Sequence, residues 1–459
     1  MSRWTRRGFL AAGLGLAGCT RLDRPPLGPL YRATQESTDQ PPLIVIPGAF
    51  GSRLRDRRTG REIWPRSDRS LLVSSYRALE LDIDPDHLEP KAGDIEAYDI
   101  FESGLGRDFY GQMLRTLQQA GGYIRCGARE KPRPDRRNFY VYPYDFRLED
   151  VAAALGLHEL IERIRMDFGD PRLRVDVLAH SNGGMLARYY ARYGTAETPA
   201  NGPFQPTQVG AAAIRRLLLV GTPNLGTIQP VLSLLRGEDV LLGQIPLEVM
   251  ASCPGTMQTM PHPAIPWLVD LQGRTVDLDL YDIATWRESR WSIFDPRVAE
   301  RTIAAHGGGS AGRRHLELLR EYHAKYLRRT RRFVESLAVP GGPDDLRPFV
   351  FGGDCELTLA RLVAEQVDGH HVARERVRDI ANPLPDVDYE ALMFEPGDTV
   401  VTRSSLLGRR TLNIAAPRSE VESLQVAHNV FFCEQHQQLT GNPSFQDNLL
   451  NSLLSVDPV

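Results

Sequence analysis

From Pro41 onward, short wholly apolar runs alternate with longer stretches in which apolar residues recur every third or fourth position. Apolar runs of four or five residues closed by Gly, Pro or a polar turn read as strands buried on both faces. The helical stretches between them supply the cover, and together they predict a parallel sheet with helices on both sides. Leu43-Ile44-Val45-Ile46, Phe139-Tyr140-Val141-Tyr142, Val175-Asp176-Val177-Leu178-Ala179 and Leu217-Leu218-Leu219-Val220 are the clearest strands; residues 348–351, 399–401 and 424–432 are the later ones. Between the second and third, Leu155, Leu160, Ile161 and Ile164 recur at helical spacing beside Glu159, Glu162 and Arg163, predicting a crossover helix over residues 151–168. No internal repeat is visible.

Composition narrows this picture without redirecting it. With 42% hydrophobic and 25% charged residues among 459, the chain is an ordinary folding sequence, neither disordered nor many-pass membrane. Its 55 basic residues are matched by 58 acidic ones, a net charge of −3 that offers no field for nucleic acid.

The N-terminus reads as an address. Thr5-Arg6-Arg7-Gly8-Phe9-Leu10 opens an uncharged Gly/Ala-rich run to Ala17, the pattern of a twin-arginine export signal. That run is well short of the ~20 residues a spanning helix needs. Leu16-Ala17-Gly18-Cys19 follows and resembles a bacterial lipobox, with Cys19 as the lipidated residue. Residues 1–19 are therefore expected to be a signal, 20–40 a tether, and 41–459 the folded domain. The protein is expected in the periplasm or cell envelope, held at a membrane surface by lipid. Cys126, Cys253, Cys355 and Cys433 then remain in a disulfide-permissive compartment, with all three pairings open. No CxxC or His-rich spacing suggests a metal site, and nothing calls for a cofactor.

The third strand runs into Ala179-His180-Ser181-Asn182-Gly183-Gly184 and then a helical stretch. A serine on a tight strand-to-helix turn is a nucleophile elbow: the turn lifts the hydroxyl above the sheet while the helix N-terminus aims backbone N–H groups at a forming oxyanion. Alone, a serine between small residues is commonly a mere helix cap. Its neighbours add weight. Pro47-Gly48-Ala49-Phe50-Gly51 follows the first strand, where such sheets carry a second oxyanion donor, so Ala49 and Asn182 form the expected pair. Downstream come Gly397-Asp398 and, after the 424–432 run, His436; the order Ser, Asp, His is that of this fold. Asp354 competes as the acid. Of eleven histidines, position leaves His436 as the base, with His370 and His371 assigned to a polar loop and His180 to shaping the elbow.

Five segments in order resemble the lecithin:cholesterol acyltransferase family, which includes lysosomal phospholipase A2-type enzymes and phospholipid:diacylglycerol acyltransferases. They are Ile46-Pro47-Gly48-Ala49-Phe50-Gly51-Ser52-Arg53-Leu54, Tyr144-Asp145-Phe146-Arg147-Leu148, the elbow, Gly221-Thr222-Pro223-Asn224-Leu225-Gly226, and Gly397-Asp398-Thr399-Val400 with His436. The resemblance implies an α/β-hydrolase fold, a Ser181, Asp398, His436 triad, an oxyanion hole at Ala49 and Asn182, and acyl transfer from a lipid ester to water or an alcohol acceptor. It also implies a lid loop at about 52–76 and a cap insertion at about 228–339, whose Met250, Met257, Met260, Ile265, Trp267 and Leu268 are candidate lining for an acyl channel; Leu241, Leu242 and Ile245 are further apolar cap residues. Two departures stand out: Phe146 where the family usually has Trp, and Thr399 where it has Gly. A carboxylesterase or lipase on neutral or small esters shares the same triad, and a surface-anchored binding module would share the same fold.

Overall fold

The computed structural model of the protein describes residues 26–32, 34, 40–65, 76–104, 106–127, 130–240, 243–339, 346–410 and 424–455. The expectations for residues 1–19, for Cys19, for Leu241 and Leu242, for most of the tether and for residues 66–75 of the lid loop lie outside these. Seven strands form one sheet: β1 (Leu43–Ile46), β2 (Tyr123–Cys126), β3 (Arg137–Val141), β4 (Val175–His180), β5 (Ile214–Val220), β6 (Phe349–Gly353) and β7 (His428–Phe432). Their spatial order is β7-β6-β5-β4-β1-β3-β2, and every neighbouring pair is parallel.

Period-two alternation divides each strand between two cores. In β1, Ile44 and Ile46 face one side and Leu43 and Val45 the other; in β5, Leu217 and Leu219 oppose Leu218 and Val220. On the first side pack α2 (Asp150–Phe168), α3 (Asn182–Tyr193) and the 29-residue α6 (Gly309–Leu337). On the second lie α1 (Gly111–Gln119) and α7 (Pro443–Leu454), through Met113, Leu114, Leu117, Leu449 and Leu450. α4 (Gln229–Arg236) and α5 (Pro296–Ala305) belong with α6 to the chain between β5 and β6. Among the described residues no helix is long and apolar enough to cross a membrane.

The structure corrects several expectations. The crossover helix buries Val151, Ala154, Leu157, Ile161 and Ile164, whereas Leu155 is on the opposite face and 49% exposed. Residues 399–401 form a turn rather than a strand, because the Asp398 carboxylate takes the Val400 and Val401 N–H groups that a ladder would need. His370 and His371 begin a strand (His370–Arg374) paired antiparallel to Leu362–Val367, not a polar loop. Met257, Met260, Trp267 and Leu268 are packed core. Cys355 and Cys433 form a disulfide, and Cys126 and Cys253 are free, buried thiols, which decides the pairing that the sequence left open.

Candidate active site

Four segments at the C-terminal edge of the sheet meet above it, where ligands of open α/β sheets bind. At the end of β4, Ser181 has φ 53° and ψ −126°, a strained turn that places it as N-cap of α3. The turn holds because its N–H donates to the Val220 carbonyl at 2.8 Å and because its flanks are bare: a Cβ on Gly183 would strike the Pro47 carbonyl, and one on Gly184 the Thr222 side chain.

His436 opens a 3-10 turn (His436–Gly441) just past β7. Its Nε2 lies 2.9 Å from Ser181 Oγ and its Nδ1 2.8 Å from Asp398 Oδ2. The carboxylate can only accept from that ring, so the Nδ1 carries the hydrogen and the Nε2 lone pair faces the serine hydroxyl. Asp398 is 1% exposed, and its other oxygen accepts the Val400 and Val401 N–H groups at 3.0 and 2.7 Å. Asp354, the rival acid, instead faces Arg403 at 3.5 Å. Gly221 has φ 54° and sits so close to His436 that a Cβ there would be 3.0 Å from the ring. The disulfide follows from this layout, since Cys355 leaves β6 and Cys433 leaves β7 beside the loops carrying Asp398 and His436.

Ala49 and Asn182 border the same space. Asn182 opens α3, so its N–H has no intrahelical acceptor, and Ala49 N–H donates to nothing among the described residues. The Asn182 side chain is locked underneath, its Nδ2 donating to Asp150 Oδ1 at 2.9 Å and Tyr144 Oη at 3.1 Å. Burial pushes the Asp150 carboxyl well above the usual carboxylate range. Phe146 of the same segment packs on Phe50, ring centroids 4.8 Å apart.

A positioning residue with no local signal in the sequence supports the elbow beside His180. Tyr110 Oη accepts the Gly48 N–H at 2.9 Å and donates to His180 Nδ1 at 2.8 Å, tying the Ala49 loop to the elbow. His180 is held neutral, its pKa driven well down by burial and then by His436, whose ring centroid is 4.9 Å away. Tyr110 is 62 residues from Gly48, and only the assembled sheet brings them together.

Over Ser181 opens a cavity of about 630 Å³. Phe50, Trp64, Phe101, Phe109, Met250 and Val400 give it apolar walls, while Gln229, Ser233 and Glu238 form a polar end. Glu238 accepts from Gln229 at 2.9 Å and from Ser233, and burial raises its carboxyl pKa. Of the six residues expected to line an acyl channel, only Met250 does so here.

The parallel sheet, its helical layers and the serine elbow at the end of β4 define an α/β-hydrolase fold. A solved chain of the Tle4–Tli4 complex shares it, with a TM-score of 0.57 at 14% identity over 91% of this chain and 98% of that one. EstA from Clostridium botulinum aligns over 95% of this chain and 90% of that one at 12% identity, with a TM-score of only 0.37. No protein-family model and no curated protein matches the sequence.

Proposed function

We propose that this protein is a serine hydrolase of lipid esters that works through an acyl-serine. The observation that carries the reading is the hydrogen-bonded line Ser181, His436, Asp398 at 2.9 and 2.8 Å beneath a largely apolar cavity. In this mechanism Ser181 Oγ attacks the ester carbonyl as its proton passes to His436 Nε2, and Asp398 stabilises the imidazolium. The tetrahedral oxyanion rests on the Ala49 and Asn182 N–H groups. Collapse breaks the ester C–O bond, and the leaving alkoxide takes the proton from His436. His436 then deprotonates an incoming hydroxyl, which attacks the acyl-serine and restores Ser181 as the carboxylic acid or a new ester departs.

Phospholipid or related esters are the proposed substrates, and water the default acceptor, with transfer to an alcohol as a second activity. The five-segment resemblance to the lecithin:cholesterol acyltransferase family supports both, and the apolar walls suit an acyl chain. We further place the protein outside the cytoplasm, anchored through Cys19; the Cys355–Cys433 disulfide fits an oxidising compartment.

A fluorophosphonate probe tests the chemistry: labelling of Ser181 is expected, and its absence would leave the binding-module reading. Turnover of phospholipid vesicles, triacylglycerol and short-chain esters then separates a lipid hydrolase from a small-ester carboxylesterase. Supplying a long-chain or sterol alcohol in the vesicles should raise the ratio of acylated alcohol to free fatty acid; a ratio fixed at zero confines the activity to hydrolysis.

A further inference from the structure

Away from the cavity, three side chains from two distant parts of the chain converge. Glu80 ends a short 3-10 turn (Arg77–Leu79), His306 caps α5, and His315 lies in the second turn of α6. Glu80 Oε1 is 3.0 Å from His306 Nε2 and 3.5 Å from His315 Nε2, and the three side chains are only 14%, 23% and 23% exposed. The two imidazoles lie face to face, centroids 3.5 Å apart at 9°.

A count of protons makes this cluster incomplete. His306 Nδ1 is 2.9 Å from the Thr302 carbonyl, which only accepts, so that nitrogen carries the hydrogen. In a neutral ring the Nε2 is then bare, and it faces a bare carboxylate oxygen at 3.0 Å. That oxygen and His315 Nε2 are both buried without a hydrogen-bond partner. Arg77 does not reach the shared oxygen: its Nη2 pairs with Glu248 at 2.8 Å, and its Nη1, buried without a hydrogen-bond partner, is 4.0 Å from the other Glu80 oxygen. Lone pairs so close together in a partly buried place favour a cation shared among them.

We infer that Glu80, His306 and His315 bind a divalent transition-metal ion of the zinc type, with water completing a fourth position. Two imidazole nitrogens and one carboxylate oxygen form the donor set such an ion takes, and the His306 Nδ1–H bond to Thr302 is the outer contact that orients a metal-bound imidazole. Parallel rings do not converge on one point, so uptake swings at least one of them about χ2. The ion clips the chain just beyond residues 66–75 to α5 and α6. This inference is independent of the proposed chemistry at Ser181.

The test uses the full chain stripped by chelator and dialysed. Titration of Zn²⁺ against a chromogenic chelator is expected to give one equivalent per chain, and Co²⁺ to give the visible bands of a four-coordinate site. Glu80→Gln, His306→Gln and His315→Gln should each weaken uptake by about tenfold or more, with far-UV circular dichroism verifying the fold. If one variant fails to fold, the other two carry the comparison. A Cys126→Ser, Cys253→Ser double variant, which removes the free thiols of the described residues, should bind as the wild type does. No stoichiometric uptake by the wild type, or equal uptake by the three ligand variants, overturns the assignment. So does finding His306 as an imidazolium at neutral pH whose signals zinc does not move, since the missing charge would then be a proton.

Discussion

Asp398 and His436 are joined twice: Asp398 Oδ2 takes the His436 ring at 2.8 Å, and the Asp398 carbonyl takes the His436 backbone N–H at 2.7 Å. Ring and backbone are thereby referred to one residue, and the imidazole is fixed in both tautomer and direction toward Ser181. Ser181→Ala and His436→Ala are each expected to lower kcat on a lipid ester by about 10⁴-fold or more, and Asp398→Asn by about 10⁴. The Ser181→Ala, His436→Ala pair should be scarcely worse than either alone, because a unit cannot be removed twice. Steady-state kinetics with thermal midpoints unchanged is the check; additive losses, or Asp354→Asn as the crippling change, would overturn the assignment.

How much of this was legible follows from where each signal resides. The four central strands are buried on both faces, so their apolar runs identify them directly. β2 escaped because it is an edge strand, where Tyr123 and Cys126 are buried but Ile124 and Arg125 only partly so. The elbow carries its geometry within a few residues and could be read whole. The cluster of Glu80, His306 and His315 could not: Glu80 is more than two hundred residues from the two histidines in the chain, and no spacing rule reaches that far.

Thr399, the residue after Asp398, has φ 82°, which costs a β-branched side chain more than it costs glycine. Its side chain is exposed, and its N–H donates to Thr358 Oγ1 at 2.9 Å, a bond glycine keeps. Thr399→Gly is expected to stabilise the fold by about 0.5–1 kcal/mol, net of glycine's greater chain entropy, with kcat unchanged. Chemical denaturation measures this, and a destabilised variant would contradict it.

The Cys355–Cys433 disulfide spans 78 residues and brackets Asp398. Opening it releases both loops that hold Asp398 and His436. Cys355→Ser with Cys433→Ser should cost about 2–4 kcal/mol of stability and lower kcat more than it raises KM. Wild-type protein assayed with and without reductant provides the matching comparison, and identical melting curves would refute the role.

His323 sits fully buried on α6 against Trp286, ring centroids 5.7 Å apart, and burial lowers its pKa to about 4. The unfolded chain keeps this imidazole near its ordinary 6.5, so below that pH the unfolded state binds a proton the folded state refuses. Stability from His323 is therefore full above pH 6.5 and drains as the pH falls toward 4, by up to about 3 kcal/mol. His323→Phe should flatten the pH dependence of the thermal midpoint in this window relative to wild type; parallel curves would show that the residue does not govern it.

Residues 1–19 yield the last test, because an address acts through chemistry rather than through packing. A twin-arginine signal is read through its paired guanidinium groups, so Arg6→Lys with Arg7→Lys is expected to hold the protein in the cytoplasm although the charge is conserved. A lipid on Cys19 would add ~0.8 kcal/mol of membrane affinity per buried CH₂, and Cys19→Ser should therefore shift exported protein from the membrane fraction to the soluble one without changing its specific activity on dispersed substrate. Fractionation with immunoblotting reads both variants. Retention in the cytoplasm should also leave Cys355 and Cys433 reduced, so thiol labelling of the trapped protein separates failed export from failed anchoring; wild-type protein found wholly in the soluble cytoplasmic fraction would refute both.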